Sequence, residues 1–256
     1  MAGNTNEGRP WQDPTKSINR GAFIVVEGLD RTGKTTQVQK LADALHASGR
    51  NVKAMRFPDR TSPIGNMINN YLQSKTEMED HVIHLLFSAN RWESAKNIMD
   101  SLANGYTIIC DRYYYSGMIY SAAKDNPALS IQWARGPEVG LPRPDMVVFL
   151  NLSPEEAAKR ADFGDEKYET SQMQKRVQEL YQDLAKVVAD ESDDLRVINA
   201  GGSIDEVASE IFTAVSDRVQ QVEQGAEFKP GKTYNKEVRT VSSWNGAWEE
   251  MVARKH

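Results

Sequence analysis

The run Gly28-Leu29-Asp30-Arg31-Thr32-Gly33-Lys34-Thr35 fits the pattern G-x-x-x-x-G-K-[ST]. Each position answers a need of a bound polyphosphate. Glycines let backbone N–H groups converge on phosphate oxygens, a following helix adds partial positive charge at its N-terminus, Lys34 spans the terminal phosphates, and Thr35 offers a hydroxyl to Mg²⁺. The motif requires a strand before it and a helix after it, and it has both: Phe23 to Val26 is continuously apolar, and a helical pattern opens at Lys34. A glycine-rich turn that fits by chance is the opposing reading, and the agreement of strand, spacing and helix argues against it.

Two residues inside the loop carry unusual charge. Arg31 is placed to stabilise negative charge developing on a transferred phosphoryl group. Asp30 would repel a phosphate, so it turns instead toward a neutral hydroxyl or a basic partner. A simple surface pair between the two is the alternative.

Further polar groups follow other apolar runs: Phe57-Pro58-Asp59-Arg60 after the second, and Asp111-Arg112-Tyr113 after the third. In open parallel sheets, ligands bind at the carboxyl ends of strands. Arg60 and Arg112 exceed what one triphosphate needs, whereas a second phosphorylated ligand gives each a bidentate role; surface salt bridging is the competing use. Asp111 is placed to hold a Mg²⁺ shell. Cys110, within the apolar run before it, reads as packing. Phe87 and Arg91 lie four apart and share a helix face, where a ring can stack on a base and a guanidinium can bond its edge. Core plus surface is the plain reading of that pair. An Asn-Lys-x-Asp element, which a guanine-nucleotide switch needs, is missing: Asn235-Lys236-Glu237-Val238 lacks the Asp.

These residues need a frame. The candidate strands are Ala22 to Glu27, Asn51 to Phe57, Tyr106 to Cys110, Asp145 to Asn151 and Leu195 to Asn199. Most are apolar nearly throughout, which indicates strands covered on both faces, and helical segments between them make parallel crossovers the natural topology. Helices are expected at Lys34 to Ser48, Ile64 to Gln73, from Glu79 into the 90s with a further piece to Leu102, and within 114–135, 154–162, 170–190 and 203–224. The expectation is an α/β domain with five strands over residues 20–225. Residues 1–19 read as a flexible polar leader. Residues 226–256 read as a polar extension, in which Trp244, Trp248 and Met251 suggest a short amphipathic helix docked on the protein's own surface or on a dimer mate.

Composition excludes other classes. Lys and Arg number 31 against 36 Asp and Glu, a net charge of −5, which disfavours general adhesion to nucleic acid or anionic membrane. No apolar run approaches the ~20 residues that span a bilayer. One cysteine cannot form an internal disulfide. A reducing, cytoplasmic compartment is expected, with a nuclear pool left open.

Taken together, the motifs resemble the thymidylate kinase family, eukaryotic branch. The elements that carry the resemblance are the phosphate loop, Phe57-Pro58-Asp59-Arg60, His84-Leu-Leu-Phe87-Ser-Ala-Asn-Arg91-Trp92, Asp111-Arg112-Tyr113 with Ser116-Gly117, Gly140-Leu-Pro-Arg-Pro144-Asp145, and Arg160-Ala-Asp-Phe-Gly-Asp-Glu-Lys-Tyr168-Glu169. The resemblance implies a three-layer P-loop nucleoside-monophosphate-kinase fold and transfer of a phosphoryl group from ATP to dTMP, giving dTDP, with Mg²⁺. It implies that Gly28, Asp30, Arg31, Thr32, Gly33, Lys34, Thr35, Thr36 and Arg160 bind ATP, with Thr35 and Asp111 at the metal. Arg31, Lys34, Asp30 and Arg112 would be catalytic. For dTMP it implies Asp30 on the 3′-hydroxyl, Arg60 and Arg112 on the phosphate, and Phe87 and Arg91 on thymine. Phe57, Ser116, Gly117 and Tyr168 would line the same site, and Tyr120 would crowd out a ribose 2′-hydroxyl. It also implies a homodimer joined through Glu79 to Trp92. The lid reads Glu166-Lys167-Tyr168 where the family pattern leads one to expect Arg at the middle position, so a planar fork is absent there. A kinase for UMP or dUMP, and a P-loop protein that binds ATP without transferring phosphate, are the alternative functions.

Overall fold

The computed structural model describes residues 19–124, 126–153, 156–157, 166–187, 194–225, 227–229, 232–233 and 238–243. Five strands form one parallel sheet: β1 (Phe23–Gly28), β2 (Val52–Arg56), β3 (Thr107–Asp111), β4 (Met146–Asn151) and β5 (Leu195–Asn199), ordered β2-β3-β1-β4-β5. The three inner strands are the continuously apolar runs, because helices cover both faces. The two edge strands are more exposed, and their sequences are correspondingly mixed. Strand side chains alternate between two cores. Phe23, Val25, Ile108, Cys110 and Phe149 face one layer, while Ile24, Val26, Ile109, Val148 and Leu150 face the other.

Around the sheet lie α1 (Lys34–Ala47), α2 (Pro63–Leu72), α3 (Asp80–Ala103), α4 (Tyr114–Ala122), α5 (Ile131–Arg135), α6 (Ser171–Val187) and α7 (Ile204–Gln224). Helix α3 is one helix of 24 residues, not two pieces. Nothing in Glu93-Ser-Ala-Lys-Asn97 breaks it, since neither glycine nor proline interrupts the backbone bonding. Only Glu156 and Ala157 of the expected helix at 154–162 fall among the described residues, and both are helical.

Helix starts divide by purpose. Ser62, Glu79, Ser130 and Ser203 cap α2, α3, α5 and α7 with their side chains. Helix α1 begins instead at Gly33 (φ 89°) with no side-chain cap and no acid in its first turn, so its N–H groups remain for a ligand. Helix α4 is capped from a distance: the buried Glu27 carboxylate accepts from Tyr113 N at 2.9 Å and Ser116 N at 3.1 Å.

The core runs further along the chain than residue 225. Glu227–Lys229 and Lys232–Thr233 pair antiparallel, and Thr240 then bridges Pro142. Val241 is 2% exposed within the same core as Tyr114 and Leu141. Buried Val241, with backbone hydrogen bonds on either side and the partly buried Val238 packed on the same core, anchors a largely polar stretch. The expected helix with Trp244, Trp248 and Met251 lies outside the described residues, as does the expected leader up to residue 18.

Candidate active site

The carboxyl ends of β1, β2 and β3 open into a cleft of about 390 Å³. Its lining includes Asp30, Arg31, Gly33, Lys34, Thr35 and Thr36 from the phosphate loop, Phe57 and Arg60 after β2, and Phe87 and Arg91 from α3. Asp111, Arg112, Ser116, Gly117 and Tyr120 close the far side, and Tyr168 the top. Sixteen residues expected from sequence thus meet in one space. Gly28 and Thr32 support the loop from beneath rather than line it. A Cβ on Gly28 (φ 148°) would lie 2.7 Å from Leu150 O, and the Thr32 hydroxyl donates to Leu29 O at 3.0 Å. Arg160 lies outside the described residues.

The loop backbone is bent to purpose. Arg31 has φ 65° and Arg112 has φ 66°, both in the left-handed region that side chains rarely adopt. Lys34 is buried, and its Nζ donates to Leu29 O and faces Thr32 Oγ1. Burial, then the neighbouring Arg112, pulls its pKa down to about 8 against the opposing pull of Asp30, Asp111 and Glu27.

Asp30 is held by several partners. Its carboxylate accepts from Arg112 Nη2, from Tyr120 OH at 3.0 Å and from Gln174 Nε2 at 2.8 Å, while its own N–H donates to Gln174 Oε1 at 3.0 Å. Burial works against its ionisation, yet Arg112, Lys34 and the bonds from Tyr120 and Gln174 outweigh it and hold the carboxyl below the usual range. Burial pushes the Tyr120 hydroxyl up, so it stays a donor. Both readings of Asp30 therefore hold at once: it has a basic partner, Arg112, and a hydroxyl partner, Tyr120. It does not pair with Arg31.

Four arginines of the cleft, Arg31, Arg60, Arg91 and Arg112, each meet a carboxylate. Arg31 makes a bidentate pair with Glu169, Nε–Oε1 3.0 Å and Nη2–Oε2 3.1 Å. Arg60 meets Glu166 at 2.8 Å, and Arg91 meets Glu138, Nε–Oε2 2.8 Å. Lys167 turns away from the cleft to Glu77 and lies over the Tyr71 ring at 4.4 Å. Tyr168 packs between Tyr71 and Tyr120, with ring centroids 6.0 and 5.6 Å away.

Thr35 Oγ1 donates to Asp111 Oδ2 at 2.6 Å. The other oxygen, Asp111 Oδ1, is buried with no hydrogen-bond partner among the described residues. A hydroxyl beside an unsatisfied carboxylate oxygen is a donor set that suits Mg²⁺, which takes few protein ligands and completes its shell with water and phosphate. Among the described residues no group of three or more His, Cys, Asp or Glu gathers as a metal cage, and no helix is long and apolar enough to cross a membrane.

Sequence reading missed Gln174, Glu138 and Glu27. None lies in a local motif. Gln174 sits on α6, Glu138 ends a short 3₁₀ turn (Gly136–Glu138), and Glu27 is the last side chain of an apolar strand. Only an acid ending such a strand could have drawn attention.

The thymidylate kinase family model matches residues 26–211. The thymidylate kinase of Danio rerio is 48% identical over 195 residues, covering 76% of this chain and 90% of its own length. The thymidylate kinase of Homo sapiens is 43% identical over 204 residues, covering 80% and 94%. Among solved structures, the thymidylate kinase of Candida albicans superposes with a TM-score of 0.73 at 35% identity, covering 87% of this chain and 99% of that one. Identity of this depth over nearly the whole of each relative, on a cleft built for phosphates, makes the chain a member of the thymidylate kinase family, enzymes that phosphorylate dTMP to dTDP.

Proposed function

We propose that the cleft holds ATP over the phosphate loop and dTMP between α3 and α4, and that the γ-phosphoryl group passes in line to the dTMP phosphate. The convergence of Lys34, Arg31, Arg60 and Arg112 on one space carries this reading, because a single triphosphate does not need four cations. Lys34 holds the terminal ATP phosphates. Thr35 and Asp111 hold Mg²⁺, which when bound neutralises and orients phosphate oxygens. Arg60 and Arg112 hold the acceptor phosphate. Phe87 stacks on thymine and Arg91 bonds its edge.

Asp30 accepts from the 3′-hydroxyl of the sugar. It already accepts from Tyr120 and Gln174, so the substrate hydroxyl joins an organised array. The Tyr120 ring beside it leaves little room for a 2′-hydroxyl, which supports deoxyribose over ribose. The acceptor phosphate is anionic already, so no strong general base is required. Catalysis comes from alignment and from cations aimed at developing charge. As phosphates enter, Glu166 and Glu169 yield Arg60 and Arg31 to them, one carboxylate for each phosphoryl group.

A homodimer through α3 is supported by a stripe on that helix. Val82, Leu85 and Trp92 are 49%, 46% and 43% exposed and share one face of α3, and Met67 of α2, which packs on α3, is 46% exposed. Leu85→Glu should convert a dimer to a monomer in sedimentation velocity. A dimer that persists in that variant places the interface elsewhere.

Arg31→Ala should lower kcat by about 10³ or more with little change in KM for ATP, following arginine-finger magnitudes. Steady-state kinetics check this, and a kcat within a few-fold of wild type removes Arg31 from the transition state.

Lys34 binds phosphate only when charged. Its lowered pKa means the free enzyme carries that charge below about pH 8 and loses it above. The profile of kcat/KM for ATP, which reports the free enzyme, should therefore be level up to about pH 8 and then fall toward tenfold per pH unit. A profile that stays level through pH 9.5 contradicts the assignment.

A further inference from the structure

The base side of the cleft rests on a stretch of chain that lies beyond the family match, which ends at residue 211. Arg91 sits in a narrow slot. Glu138 grips its guanidinium through two bonds, and the two side chains are 3% and 0% exposed. Opposite, Gly117 leaves just enough space, since a Cβ there would lie 2.6 Å from Arg91 Nη2. The plane of Arg91 is thus set by where Glu138 stands.

Glu138 in turn stands on the Gly136–Glu138 turn, and that turn is held on both sides by residues 239–242. Before it, Arg135 Nε donates to Ser242 O at 2.9 Å. After it, Gly140 N donates to Val241 O at 2.9 Å, Val241 N to Leu141 O at 2.8 Å, and Arg143 N to Arg239 O at 2.7 Å. The buried Val241 side chain plugs this short ladder into the core. Helix α3, which carries Arg91, adds a further tie, for Ser88 Oγ and Trp92 Nε1 both donate to Pro137 O, at 3.2 and 2.8 Å. Without the strap, residues 135–143 would keep their link to α3 but lose the bonds that fix both flanks of Glu138.

We propose that residues 239–242 are a positioning strap for the nucleobase: by fixing Glu138 they hold Arg91 at the angle that reads thymine, and so set the affinity for dTMP while leaving the ATP side untouched. This rests on the reading that Arg91 faces the base. Small displacements matter here, because a hydrogen bond to a guanidinium loses most of its worth once the geometry is poor. A strap that merely closes the core would affect both substrates alike or neither.

Val241→Asp sets an unpaired carboxylate in an apolar slot and should expel the strap, and ending the chain after residue 237 removes it. Release is read from amide exchange, as faster exchange at Gly140 and Arg143. In both variants KM for dTMP should rise roughly tenfold, as for one charged hydrogen bond lost, with kcat and KM for ATP within about twofold of wild type. Preference for dTMP over dUMP should be left intact, because both pyrimidines present the same carbonyl edge. Three results overturn the proposal: release with KM for dTMP unchanged, an equal rise for both substrates, or failure of both variants to fold, which would make the strap ordinary core. Arg91→Ala separates the base contact from the strap that positions it. If it leaves KM for dTMP unchanged, the base-site reading fails; if it raises KM while the strap variants do not, only the strap is refuted.

Discussion

Among the cationic side chains that share one cleft are Lys34, Arg31, Arg60 and Arg112, and like charges so close repel. Everything around the site answers that constraint. Arg112 is neutralised by Asp30, Arg31 by Glu169 and Arg60 by Glu166, while Lys34 is left to lower its pKa. A chain of net charge −5 can therefore bind two polyanions. The positive charge is local, and the acids that hold it belong to two different sets. Asp30 is tied into the floor by Arg112, Tyr120 and Gln174. Glu166 and Glu169 come from the segment over the top of the cleft, where phosphates can replace them.

The floor is fixed by the sheet. Asp111 ends β3 and Arg112 follows it, and the phosphate loop leaves the end of β1, two strands paired in register from Phe23 with Ile108 to Val26 with Asp111. Glu27, at the end of β1, accepts from Tyr181 OH at 2.9 Å as well as from the start of α4, which carries Ser116, Gly117 and Tyr120. The donors around this buried carboxylate offset its desolvation and tie three elements together. Parallel strands thus deliver the chemistry to one end, and the buried network keeps it in place.

Much of this was legible in the sequence, for a local reason. The phosphate loop is contiguous, its glycines are dictated by the turn, and an inner parallel strand cannot hide its continuous apolar run. The five strands accordingly fall within a residue or so of the expected positions. What could not be read is pairing across long separations. Glu138 meets Arg91 47 residues away, and Gln174 meets Asp30 144 residues away. Neither carries a spacing signature, and a lone glutamate or glutamine on a helix looks like solvated surface. Residues 238–243 were unreadable for a related reason, since two valines three apart among polar neighbours are too few to show a period. Polar residues along α3 interrupt its apolar face but not its backbone, so it runs as one helix where two pieces were expected.

In the function proposed above, this cluster of cations serves two phosphate ligands at once, one of them a deoxynucleoside monophosphate. ADP release from ATP, measured with no acceptor and with dTMP, dUMP, UMP and AMP in turn, tests it most directly. Release should depend on the acceptor and be fastest with dTMP, with UMP and AMP poor. ATP turnover without an acceptor, or UMP preferred to dTMP, would contradict it.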